Sequence, residues 1–137
     1  MENFLGMSDG FLIVYAINSK GSFDGKKDFS FNQKKCIKNK NIFIGVEDFF
    51  SMIKKIREDK VPVVTVGNKS DLEKERVVSY REGLDLAKSH DSPFFESGQK
   101  NFTLEYFYQL IREIRKHKYQ KLFGEKQKKE KKNCSLF

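Results

Sequence analysis

The sequence predicts an α/β domain, a parallel sheet with flanking helices, and three observations carry that expectation. Phe11 to Ile17 (FLIVYAI) and Val61 to Val66 (VPVVTV) are nearly continuous apolar runs rich in β-branched residues, as strands covered on both faces are. The segments between and after them place apolar residues at three- and four-residue intervals, the spacing of amphipathic helices. The second run ends abruptly in Asn68-Lys69-Ser70-Asp71. Ligands of open α/β sheets sit beyond the carboxyl ends of the strands, so this polar cluster is the first candidate site.

Taken in order, Met1 to Gly10 reads as a short turn-like lead-in, with Ser8-Asp9-Gly10 as punctuation before a strand. Phe11 to Ile17 is the first strand, and Asn18 to Asp24 returns to turn chemistry. Gly25 to Gly45, GKKDFSFNQKKCIKNKNIFIG, has neither helical nor strand periodicity. Long structureless loops are uncommon inside compact domains. Its Lys, Asn, Phe and Ile are residues of AT-rich codons, and two readings stay open: a solvated surface insertion, or translated intron sequence. Val46 to Glu58 carries Val46, Phe49, Phe50, Ile53 and Ile56 on one helical face, with acids first and lysines last as the helix dipole favours.

The Val61 strand follows, then a charged loop over Leu72 to Val78. Ser79 caps a helix through Ser89, and Glu82 completes a capping box. Ser92 to Glu96 is a third short strand with Pro93 at its start, where proline is tolerated. Ser97 to Lys100 is again a polar loop after a strand. Leu104 to Lys118 is a long helix whose Leu104, Phe107, Leu110, Ile111 and Ile114 share a face. The lysine-rich remainder reads as a disordered basic tail. Strand, helix, strand, helix, strand, helix implies right-handed crossovers. The chain therefore divides into residues 1–24, an insertion at 25–45, residues 46–118 and a tail at 119–137.

A length of 137 residues fits one domain. The net charge of +8 is unevenly placed: Arg112 to Lys132 hold ten Lys or Arg against three Glu, and Gly25 to Gly45 hold six Lys against one Asp. The rest is mildly acidic, which argues against nucleic-acid binding, where the positive charge lies on a folded face. Cys36 and Cys134 have no metal-site spacing and make no disulfide framework. Neither a membrane-spanning run nor a secretory leader is present, so the expected location is the cytosol or its membrane surface. His90 and His117 read as surface residues, Tyr106 and Tyr108 as ordinary helix residues, and no catalytic triad or metal cluster is visible.

Asn-Lys-x-Asp after a strand suits guanine. The Asp71 carboxylate can accept two parallel hydrogen bonds from the base N1–H and 2-amino group, a donor pair that adenine lacks. Asn68 can donate to N7, and the aliphatic stem of Lys69 can lie over the ring. A carboxylate left unpaired by the wrong base discriminates by several kcal/mol.

Four stretches in sequence order, DGFLIVYAINSKGSFD, VPVVTVGNKSDLEKERVV, YREGLDLAKSHDSPFFESGQK and YQLIREIRKHK, resemble the Ras family of small GTPases. The resemblance covers most of the chain from Gly10 onward. It implies a partial Ras-like, P-loop NTPase-like domain, GTP or GDP as ligand with Mg²⁺, and Asn68, Lys69 and Asp71 as guanine readers. It also implies a role as a signalling switch whose effectors the sequence does not name. The family's second base-contacting loop, Glu-Thr-Ser-Ala-Lys, matches Glu96-Ser97-Gly98-Gln99-Lys100, departing at three positions. By that match Gly98, Gln99 and Lys100 join the base site, with the Gln99 N–H directed at the guanine oxygen.

No GxxxxGK[ST] occurs in the chain, although family catalysis needs that loop to cradle the phosphates and hold Mg²⁺. Nor is a DxxG found before the Phe11 strand, or a switch threonine. Met1 falls roughly where the family's second switch ends, so a truncated product without hydrolysis is expected. In the family sheet the strand matching Phe11 to Ile17 is flanked by the fold's first strand. Without that neighbour an apolar edge loses its cover, and poor stability is expected.

Cys134-Ser135-Leu136-Phe137 is a C-a-a-X box whose terminal Phe favours geranylgeranyl. One lipid chain binds membranes marginally, and upstream lysines add about 1 kcal/mol each near an anionic surface. A prenyltransferase and an anionic cytosolic leaflet are therefore expected partners. The alternative to the switch is a non-enzymatic, membrane-anchored interaction module or pseudogene product.

Overall fold

The computed structural model of the chain describes residues 2–25, 44–99 and 104–134. Three strands, β1 (Phe11–Ala16), β2 (Val63–Asn68) and β3 (Phe94–Ser97), pair in parallel in the order β1-β2-β3. The parallel sheet is as expected. Register brings Ala16, Asn68 and Ser97 side by side at the carboxyl end, so the polar loops that follow β2 and β3 emerge next to each other.

Five helices flank the sheet: α1 (Glu2–Met7), α2 (Lys20–Asp24), α3 (Val46–Ile56), α4 (Tyr80–Ser89) and α5 (Glu105–Cys134). Ile13, Tyr15, Phe50, Ile53 and Val78 belong to one buried cluster, while Val64, Val66 and Tyr106 form a second with Leu12, Phe95 and Leu110 against it. Gly10 makes the second packing possible, because a Cβ there would sit 2.8 Å from Ile114 Cδ1. Inside the sheet, Thr65 and Ser92 share a buried 2.9 Å hydrogen bond, and Ser92 Oγ donates to the Val63 carbonyl.

α4 begins as expected. Ser79 Oγ accepts from the Glu82 N–H while the Glu82 carboxylate accepts from the Ser79 N–H at 2.8 Å. Elsewhere the chain is more helical than its local sequence suggests. The Met1–Gly10 lead-in contains α1, because Leu5 enters the core and the Arg57 guanidinium donates to the carbonyls of Leu5, Gly6 and Ser8. The Asn18–Asp24 turn contains α2, capped by Ser19 and closed by Gly25 at φ 70°, with Phe23 buried 4.9 Å from the Tyr15 ring centroid. The charged loop after β2 holds a 3₁₀ turn at Glu73–Glu75.

The tail differs most. α5 runs on through Cys134 instead of ending at Lys118. Lys, Glu and Gln are strong helix formers, so a segment with too little apolar surface for a core can still extend a helix already anchored at Tyr106.

Residues 26–43 of the insertion lie outside the described residues, but its two ends meet. Gly25 closes α2 and Gly45 opens α3, and a Cβ at Gly25 would fall 2.5 Å from the Gly45 nitrogen. The excursion leaves and re-enters the fold at one point.

Candidate functional site

The polar cluster lies where the strand order places it. Asn68 is the last residue of β2, its carbonyl accepting from the Ile17 N–H at 3.0 Å. Its side-chain oxygen accepts from the Lys69 N–H at 2.8 Å. Lys69 adopts φ 65°, a left-handed conformation that reverses the chain and costs a non-glycine residue free energy. Ser70 then donates its N–H to the Ser97 carbonyl at 3.0 Å, lacing the loop after β2 to the end of β3.

Asp71 follows, and its Oδ1 accepts from the Gln99 N–H at 3.0 Å. The approach depends on Gly98, which is buried; a Cβ there would overlap Asp71 Oδ1 and lie 2.7 Å from the Asp71 nitrogen. Asn68, Lys69, Asp71, Gly98 and Gln99 all line one open cavity of about 670 Å³, floored by Val14, Val66, Tyr106 and Phe107. Sequence had left Tyr106 as an ordinary helix residue; it is buried and closes the cavity's base. Lys100 lies outside the described residues, and of Cys134 the backbone is placed at the end of α5.

The scaffold behind the cavity is an ion pair that sequence reading missed. Arg76 donates through Nη1 and Nη2 to the two Glu96 oxygens at 2.8 Å each, to Glu73 through Nε, and to the Val78 carbonyl at 3.0 Å. Glu96, then Glu73, push the guanidinium pKa upward, so it is a permanent cation. The Ile17 carbonyl accepts from the Val77 and Val78 N–H groups, tying the same loop to the end of β1. The signal was available: an arginine five residues after Asp71 and an acid two residues before Gly98.

A second cavity, about 810 Å³, lies at the opposite end of the sheet, lined in part by Pro62, His90, Asp91 and His117. Two ion pairs lie among its lining residues: Lys60 with Asp91 at 2.8 Å and Arg57 with Asp59 at 3.0 Å. At the smaller cavity the left-handed turn at Lys69 and the Asp71 carboxylate meet the carboxyl ends of β2 and β3. His90 is not the surface residue expected; its ring stacks on Phe50 at 4.0 Å and bonds Glu47 and Lys54.

The arrangement offers a carboxylate, a carboxamide and a backbone N–H around a cleft with an apolar floor, a donor and acceptor set that fits a purine base edge. Among the described residues no group of three or more His, Cys, Asp or Glu could hold a metal ion. Those residues also include no helix long and apolar enough to cross a membrane.

The family model described as "Ras family" matches residues 35–116. The chain belongs to the Ras family. Ras-like protein 1 of Saccharomyces cerevisiae is 37% identical over 117 residues, 83% of this chain and 31% of the relative. A Ras-like protein of Laccaria bicolor is 36% identical over 118 residues, 85% of the chain and 47% of the relative. GTP-binding protein Rit1 of Mus musculus is 33% identical over 135 residues, 96% of the chain and 52% of the relative. The chain thus spans between 31% and 52% of the length of these relatives.

Proposed function

We propose that the chain is the base-recognition half of a guanine-nucleotide site in a Ras-like switch. The observation that carries this reading is the convergence of Asn68, Lys69, Asp71 and the Gln99 N–H on one cavity at the carboxyl ends of parallel strands. On this reading Asp71 accepts from guanine N1–H and the 2-amino group, Asn68 donates to N7, and the Gln99 N–H turns from Asp71 Oδ1 to the 6-oxo group when the base enters. The sequence holds no GxxxxGK[ST] loop for the phosphates and the described residues no group of three or more His, Cys, Asp or Glu for a metal ion, so on this reading the chain binds guanine weakly without hydrolysing GTP.

The test is titration of the isotope-labelled full chain with GMP and AMP, followed by backbone amide shifts. GMP is expected to move the amides of residues 68–71 and 97–99 while AMP leaves them in place. Equal effects of the two nucleotides would sink the reading.

We further propose attachment to an anionic cytosolic leaflet through a prenylated Cys134 and the tail lysines. Replacing Cys134→Ser is expected to shift the protein to the soluble fraction; unchanged fractionation would count against it. A second reading, a non-enzymatic interaction module, is favoured by one observation. Val14 on β1, an edge strand of the described sheet, is 51% exposed and lines the same cavity as Phe107, which is 43% exposed, apolar surface of the kind that marks contact sites.

A further inference from the structure

We propose that the outward face of α5 lies against an anionic lipid surface, a second hold on the leaflet beside the lipid at Cys134. The inference rests on the leaflet reading for its choice of surface and is independent of the guanine site. One side of α5 serves the fold: Tyr106 is buried, Leu110 packs against the same cluster, and Ile114 fills the space beside Gly10. Residues 108, 112, 115, 119 and 123 follow one another at four-, three-, four- and four-residue steps, so they share the opposite side, and they read Tyr, Arg, Arg, Tyr, Phe. Tyr108, Tyr119, Phe123 and the neighbouring Leu122 are 45% to 62% exposed, and the Tyr119 and Phe123 ring centroids lie 4.3 Å apart.

Charge selects the occupant. The lysines that face the domain are neutralised within it, Lys118 by Asp9 at 2.6 Å and Lys121 by Asp59 at 3.6 Å. On the outward face Arg112 donates to the Gln109 side-chain oxygen at 2.8 Å, and among the described residues neither Arg112 nor Arg115 has an acidic partner. A second copy docked there would set arginine against arginine. An anionic surface reverses that sign, each nearby cation contributing about 1 kcal/mol. Aromatic rings alternating with arginines suit a helix lying in the plane of the headgroups, rings sunk below the guanidiniums. The anchor continues the same element. α5 runs unbroken to Cys134, whose backbone position follows Phe123 by eleven residues, three turns, and so returns to the same side. The contact is weak by itself, so loss of the prenyl group still releases the chain; it turns one face of the domain towards the bilayer.

The experiment titrates the unlipidated, isotope-labelled full chain with nanodiscs of phosphatidylcholine alone and of phosphatidylcholine and phosphatidylserine in a three-to-one mixture. The mixed discs are expected to bind about tenfold more tightly, and a gadolinium-tagged lipid in them to broaden the amides of residues 108–123 while those of β2 stay sharp. Tyr119→Ser with Phe123→Ser, and separately Arg112→Gln with Arg115→Gln, should each weaken binding about fivefold. The sheet amides report whether each pair still folds; if neither does, the gadolinium pattern of the parent decides. Equal binding to both discs, folded variants that bind like the parent, or broadening that spares residues 108–123 would overturn the inference and leave the prenyl group and tail lysines as the membrane contacts. If poly-glutamate shifts these amides and the mixed discs do not, the face belongs to an acidic protein partner and the lipid inference falls. If the chain geranylgeranylated at Cys134 also ignores the mixed discs, the leaflet reading fails with it.

Discussion

Arg76 and Glu96 face each other in a two-bond pair, both contacts 2.8 Å, with side chains only 16% and 14% exposed. Arg76 sits in the loop that carries Asp71 and Glu96 on the strand that ends before Gly98, so the pair ties together the two loops that line the cavity of Asp71 and Gly98. Breaking a largely buried pair leaves the other charge uncompensated. Arg76→Ala is expected to lower stability by about 2–4 kcal/mol in urea unfolding and to broaden the amide signals of residues 97–99. Arg76→Lys, which keeps the charge but cannot form the fork, should recover less than half of that loss. Replacing Arg76 and Glu96 together by Met and Leu should cost far less than either single change.

Tyr15 supplies a change in the opposite direction. Its ring is 2% exposed, and among the described residues its hydroxyl is buried without a hydrogen-bond partner. Burial, then the nearby Glu96 charge, push the hydroxyl pKa upward, so the neutral phenol is retained. A buried hydroxyl without a partner costs about 1–3 kcal/mol of desolvation. Tyr15→Phe is therefore expected to hold or raise stability by about 1 kcal/mol, measured by the same unfolding curves; a clear loss would show that the hydroxyl is satisfied. Gly83→Ala should destabilise, because its methyl would overlap Tyr15 Oη and lie 2.7 Å from Phe94 Cζ.

Glu82 gives a pH dependence with a defined sign. Lys20 at 2.7 Å, followed by the Ser79 N–H and hydroxyl, holds its carboxyl at about 2, against an ordinary 4.5. A depressed folded pKa contributes stability that is present above the unfolded value and lost as pH falls through the folded one. The chain is expected to lose stability between pH 4.5 and about 2, and Glu82→Gln should flatten that part of a plot of Tm against pH. A variant as acid-sensitive as the parent would assign the loss elsewhere.

The strands were the most legible part of this fold. Valines at 61, 63, 64 and 66 admit few alternatives to a buried strand, and the Ser79 and Glu82 pair marked the start of α4 from four letters. Asn68 and Asp71 stood out for a chemical reason, since few residue pairs complement a guanine edge, and the structure brings both to one cavity. The short helices were not, because each is stabilised from a distance: α1 by Arg57, some fifty residues away, and α2 by Phe23 lying on Tyr15. The Asp71 to Gln99 bond was equally invisible. It rests on a backbone N–H and an absent side chain, which a residue pattern does not display. The tail was misjudged because low apolar content excludes a core without excluding a helix.

The insertion invites deletion. Gly25 and Gly45 already touch, so joining them and removing residues 26–44 closes a gap the fold has already closed. Shortening a loop returns closure entropy of about 1–2 kcal/mol. The shortened chain is expected to keep its β1-β2-β3 sheet by amide correlation spectra and to melt at the same or a higher temperature. Loss of the folded spectrum would make the segment part of the domain.

The claim that Asp71 reads the 2-position of a purine is tested most directly by exchanging its chemistry. Xanthine carries an oxygen where guanine carries the 2-amino group, and an asparagine amide can donate to that oxygen while its carbonyl accepts N1–H. Dissociation constants for GMP and XMP are measured by NMR titration on the full chain and on Asp71→Asn. The parent is expected to prefer GMP over XMP at least tenfold, because the Asp71 carboxylate meets the xanthine oxygen as a second acceptor, and the variant to reverse that preference. Identical ratios in the two proteins would contradict the assignment of Asp71 as the base reader.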